Sequence, residues 1–219
     1  YRDIHGKGNT FLTCHADARS YIFGGFFHEI DISRSHISSM FGCYTLTGAA
    51  RPYSLIRFMA EQSEFEADIE AELRGARPQL ELELANVTAA AGAFPNREQR
   101  KRIGWATKAV RKCSLKPKTV MSAMLNAPSL DSWRLPFEHC LVLRQLVADV
   151  DKMRMAIPTH PLCVAFDTAL AQDGVLPLRR VSLCLGHLDD QALDAAAVAL
   201  TAAGCTIGPT INDSVTIHH

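Results

Sequence analysis

Two short acidic motifs near opposite ends of the sequence carry its most chemically suggestive residues. One reads Glu29-Ile30-Asp31-Ile32-Ser33-Arg34-Ser35-His36 and the other Ile211-Asn212-Asp213-Ser214-Val215. Each sets one Asp at the tip or middle of a β-branched, apolar run, which is how a strand presents a carboxylate at the edge of a cleft. Two such carboxylates, brought together, can share a pair of divalent cations, the arrangement that phosphoryl and nucleotidyl transfer use.

The elements that must position them follow from pattern. Aromatic and β-branched content predicts a strand from about 26 to 32, and a final strand from Thr206 to Ile217, broken by Gly208-Pro209, that carries Asp213. Between them the spacing is helical. Leu55, Ile56, Met59, Phe65, Ile69 and Leu73 predict a helix from Tyr53 that Gly75 and Pro78 end, followed by a second from Leu80 to Ala93. Asn96 is suited to cap a third that runs through Arg97-Glu98-Gln99-Arg100-Lys101-Arg102 to about Cys113. Further helices are expected over Thr119–Asn126, Phe137–Met155, Leu162–Ala171 and Leu188–Ala203, with Asp189-Asp190 capping the last of these. Helices thus fill the space between a first and a last strand, and those two strands would pair across nearly the whole sequence.

With 219 residues the chain can build one substantial core. Hydrophobic residues make up 47% and charged residues 21%, which marks a globular rather than a disordered chain. The 23 basic and 23 acidic side chains balance, so the average argues weakly against a nucleic-acid partner, but their distribution is uneven. Residues 97–118 hold Arg97, Arg100, Lys101, Arg102, Lys108, Arg111, Lys112, Lys116 and Lys118. Seven cysteines lie far apart without a C-x-x-C pair, which argues against a zinc ribbon or disulfide framework and for a reducing, intracellular compartment. No apolar stretch approaches the roughly 20 residues of a membrane span. The abrupt ends suggest a piece of a longer chain with further domains.

With both acidic strands in view, the chain resembles the palm of template-dependent DNA polymerases of the A and B families. Asp31-Ile32-Ser33-Arg34-Ser35-His36-Ile37-Ser38 is similar to motif A, and Asn212-Asp213-Ser214 to motif C. The resemblance implies an α+β fold: a small antiparallel palm sheet over residues 20–50 and 180–219, with a helical, fingers-like insertion over 51–179. It implies that Asp31 and Asp213 bind two Mg²⁺ ions with help from the backbone carbonyl of Ile32, and that His36 stands beneath the incoming sugar. Lys118, followed by seven residues and then Asn126-Ala127, is similar to the fingers lysine that contacts the triphosphate, though Asn-Ala replaces the usual Tyr-Gly and Pro117 sits beside it. Arg111 and Lys112 would join it, and Arg100, Lys101, Arg102 and Lys108 would contact DNA. The implied activity is extension of a primer 3′ end on a primer–template with deoxynucleoside triphosphates.

Plainer readings stand beside these. A degenerate palm-like module that binds nucleic acid without catalysis fits the unusual motifs. An unrelated helical interaction domain fits if the two Asp residues coincide by chance. The basic run also suits a solvated helix face, Trp105 and Trp133 suit packing, and Glu61, Glu64, Glu66, Asp68, Glu70 and Glu72 suit a solvated acidic face.

Overall fold

Helix dominates because apolar side chains recur at three- and four-residue spacing through most of the sequence. The computed structural model describes residues 27–31, 35–211 and 214–218. Strand β1 covers Phe27–Asp31, and the helices follow as α1 (Ser35–Thr47), α2 (Tyr53–Ala60), α3 (Gln62–Ala91), α4 (Arg97–Lys112), α5 (Pro117–Leu125), α6 (Asp131–Arg134), α7 (Leu141–Ala156), α8 (Pro161–Gln172) and α9 (Pro177–Ala202). Strands β2 (Ile207–Ile211) and β3 (Ser214–His218) complete the order. Residues 40–185 form one compact unit, and the described parts of 1–39 and 186–219 belong to another.

The larger unit is built around α3 and α7. Phe65, Ile69, Leu73 and Leu80 line one face of α3, and Leu143, Leu146, Val147, Val150 and Met153 line one face of α7, all buried. Helix α3 packs against α2, α4, α5 and α7, and Phe58 meets Phe65 edge to face with ring centroids 6.4 Å apart. Asn96 caps α4 through a reciprocal box, its side chain accepting from the Gln99 amide while the Gln99 side chain accepts from the Asn96 amide.

Two other helices take their first-turn partners from a distance. The Glu72 carboxylate on α3 accepts from the amides of Val142 and Leu143, each at 2.8 Å, at the start of α7. Asp149 on α7, 1% exposed, accepts from the Ser54 amide at 2.9 Å at the start of α2. The local residues at these starts, Cys140 and Pro52, supply no side-chain cap.

The smaller unit holds a three-stranded sheet in the order β1-β3-β2. Both pairings are antiparallel, and β1 meets β3 in the register Phe27↔His218, Ile30↔Val215 and Asp31↔Ser214. The β2–β3 register shifts between Ile207 and Thr210, where Gly208-Pro209 interrupts the ladder because proline has no amide to donate.

Several expectations need correction. The α+β palm class does not hold: the described chain is predominantly helical, and strand is confined to three five-residue segments. The physical cause is the helical spacing of apolar residues, which fills most of the chain between β1 and β2. The region expected as one final strand holds two, β2 and β3. Gly75 and Pro78 do not end a helix either, because α3 runs through both to Ala91. Pro78 is exposed, and buried Leu73 and Leu80 on either side hold the helix against its neighbours. Asp189 and Asp190 lie inside α9 rather than at a helix start. Buried Asp189 accepts a hydrogen bond from Ser39 Oγ at 2.7 Å. Among the described residues no helix is long and apolar enough to cross a membrane.

Candidate functional site

Asp31 is the last residue of β1 and stands opposite Ser214, the first residue of β3. The two acidic motifs therefore reach the same end of one antiparallel pair, although more than 180 residues separate them in sequence. Asp213, which precedes Ser214, and Ile32, which follows Asp31, lie outside the described residues, as do Ser33 and Arg34. His36 is the second residue of α1, placed by its backbone in the first turn after β1.

Carboxylates presented from neighbouring strands are the donor type that Mg²⁺ takes, since the ion needs only one or two of them beside water and phosphate oxygens. Among the described residues no group of three or more His, Cys, Asp or Glu side chains could hold a metal ion.

The basic candidates belong to the larger unit. Arg100, Lys101, Arg102, Lys108, Arg111 and Lys112 all ride on α4, and Lys118 is the second residue of α5. Lys118 is exposed and follows Pro117, whose fixed φ suits the first helical position. A cavity of about 400 Å³ opens beside that helix start, lined by Arg74, Arg77, Ser114, Lys116 and Pro117 along with Glu70. Two of its cations are already matched, Arg74 by Glu70 and Arg77 by Glu81 at 2.7 Å.

The cations of α4 differ among themselves. Arg102 lies 3.9 Å from Glu98. Arg100 donates to the Pro95 carbonyl at 2.9 Å. Lys112 sits over the Trp133 ring with its Nζ 5.0 Å from the centroid; burial, and after it the nearby Lys108 charge, lowers its pKa. Its half-buried position makes Lys112 a packing residue as well as a charge. Lys101, Lys108 and Arg111 are exposed and carry no ion pair among the described residues.

Nothing in sequence pattern signals the roles of Glu72 and Asp149, whose carboxylates serve as distant caps, or of His160. That imidazole is 3% exposed, and its Nδ1 accepts from the Leu162 amide at 3.2 Å at the start of α8, while its Nε2 has no hydrogen-bond partner among the described residues. Burial lowers its pKa.

No family model, no curated protein and no solved structure matches the chain.

Proposed function

We propose that the chain carries a two-metal nucleotidyl-transfer centre at the end of the β1–β3 pair, where it extends a DNA 3′ end templated by a second strand. The observation behind this reading is the register that sets Asp31 opposite Ser214 and so draws the two acidic motifs to one place. Asp213 precedes Ser214 in the sequence. Asp31 and Asp213 are the metal ligands in this reading, with the Ile32 carbonyl completing the set. Two Mg²⁺ ions, when bound, stabilise the attacking 3′-oxygen and the leaving pyrophosphate. The chain's own contribution in this reading is to fix both carboxylates and to place His36 beside the incoming sugar. The described cysteines Cys43, Cys113, Cys140, Cys163, Cys184 and Cys205 are free thiols, which suits a reducing compartment inside the cell.

Primer extension with Mg²⁺ and deoxynucleoside triphosphates tests the reading. Asp31→Asn and Asp213→Asn should each lower extension by at least about a hundredfold, the scale of a lost electrostatic stabiliser, with the far-ultraviolet circular dichroism unchanged. Extension by Asp31→Asn at close to the wild-type rate would sink the proposal.

A further inference from the structure

Helix α4 keeps its charges in a way that α3, packed against it, does not. On α3, basic side chains are matched within the helix, Arg74 with Glu70 and Arg77 with Glu81 four residues apart, the spacing that stabilises a helix. On α4, apart from Glu98 with Arg102, spacings of three and four join like charges: Arg97 to Lys101, Lys108 to Lys112, Arg97 to Arg100 and Lys108 to Arg111. Like pairs at this distance destabilise a helix by about 0.2–0.5 kcal/mol each. The arrangement therefore opposes local stability, and a polyanion would relieve it.

Geometry sharpens the point. At ~100° per residue, exposed Arg97, Arg100, Lys101, Lys108 and Arg111 fall within an arc of about 100°, whereas Arg102 lies roughly 100° farther round. The five span about 21 Å along the axis at 1.5 Å per residue, and none has an ion pair among the described residues. The opposite face, with Ala106 and Ala109 buried, is taken up by packing.

At the edge of this stripe is Trp105, half-buried beside a groove of about 560 Å³ that Val87, Leu135, Lys101 and Arg102 line together with the carboxylates Glu83 and Glu98. A row of cations beside an accessible aromatic face is the chemistry of single-stranded nucleic-acid binding, in which cations follow the phosphates and the ring stacks on a base. An anionic membrane fits less well. A helix lying in a bilayer surface needs a free apolar face opposite its cations, and that face of α4 is already covered.

We infer that α4 is a track for single-stranded nucleic acid, with Arg97, Arg100, Lys101, Lys108 and Arg111 on the backbone and Trp105 as a base platform. The track needs neither Asp31 nor metal, so it stands or falls apart from the catalytic reading.

Two readouts on the whole chain test it. Anisotropy of a labelled twenty-nucleotide oligothymidylate, titrated over a series of KCl concentrations, gives the salt slope. Five phosphate contacts predict a slope near −3.5, at ~0.7 per contact on a single strand. The triple variant Lys101→Gln/Lys108→Gln/Arg111→Gln, changed only at exposed positions, should bind more weakly with a slope shallower by about 2. Asp31→Asn should bind like the wild type.

The second readout uses the two tryptophans of the chain. Trp133 is 2% exposed, so quenching of indole emission by the oligonucleotide reports on Trp105, and Trp105→Phe should abolish the quench while keeping most of the affinity. An unchanged slope in the triple variant overturns the track, as does charge-dependent binding to phosphatidylserine vesicles without binding to the oligonucleotide. Saturating oligonucleotide that leaves the emission unaltered overturns the base platform.

Discussion

Glu72→Ala removes the side-chain partner that two amides at the start of α7 have among the described residues. Both carboxylate oxygens are engaged, Oε1 with the Val142 amide and Oε2 with the Leu143 amide, each at 2.8 Å. Leu143 is fully buried. A hydrogen bond to a charged group is worth about 1.5–3 kcal/mol net, and the two here share one part-buried carboxylate, so their values do not simply add. A total near 3 kcal/mol follows, above the ~1 kcal/mol typical of an exposed cap. At roughly 2–4 °C per kcal/mol for a chain of this size, Tm should fall by about 6–12 °C. Glu72→Gln keeps one acceptor but turns an N–H toward the other amide, and should cost about 2 kcal/mol. Urea unfolding followed by circular dichroism measures both variants against Glu70→Ala, whose exposed pairing with Arg74 is worth under about 1 kcal/mol. Cys140 supplies an independent check. Burial first, and the Glu72 carboxylate second, push its thiol up to about 11. Glu72→Gln should lower that pKa and speed alkylation of Cys140 near pH 8. A Glu72→Ala protein no less stable than Glu70→Ala would refute the reasoning.

Three further outcomes are expected. Asp149→Ala strands the Ser54 amide and takes an acceptor from Gln145 Nε2 at 3.0 Å; urea unfolding should show a loss of about 2–4 kcal/mol, and less than 0.5 kcal/mol would exclude the cap. Pro78→Ala restores an amide in the middle of α3 and should raise stability by up to about 3 kcal/mol, read as a higher Tm; a lower Tm would mean that a proline bend is needed for packing. His160 has its folded pKa lowered below the ordinary 6.5, so the unfolded chain binds the extra proton first. Its contribution is present above the unfolded pKa and is lost as pH falls through 6.5 toward the folded value. Protonating Nδ1 also breaks the bond from the Leu162 amide. Urea midpoints should drop from pH 8 to pH 5.5, and His160→Asn, which can still cap, should flatten that dependence; an equally steep profile in the variant would clear His160 of the effect.

Sequence pattern reveals what local chemistry controls. Asn96 with Gln99 three residues on is a complete capping signal, and α4 begins where it predicts. The pairing of the first and last strands follows from two β-branched runs needing partners. Gly75 and Pro78 mislead because their cost is local, whereas the burial of Leu73 and Leu80 that overrides it is tertiary. Glu72 reads as one more solvated acid for the same reason: its partners lie 70 residues away. In the candidate site, residue type and strand pattern pick out Asp31, but only the ladder reveals that it stands opposite Ser214. The stripe on α4 is half legible. The basic run is plain in sequence, but its division into a common face that excludes Arg102 needs the helix, and its lack of ion pairs among the described residues needs the neighbours.

Strand β3 lies between β1 and β2, which do not pair with each other. It acts as a keystone, because releasing this one segment dissolves every rung of the ladder and frees both acidic motifs at once. Closing the β1–β3 pair across an unfolded chain of more than 180 residues costs on the order of 5 kcal/mol of entropy, more than two five-residue strands readily recover. The ladder is therefore best assembled late, after the helices between have shortened the path.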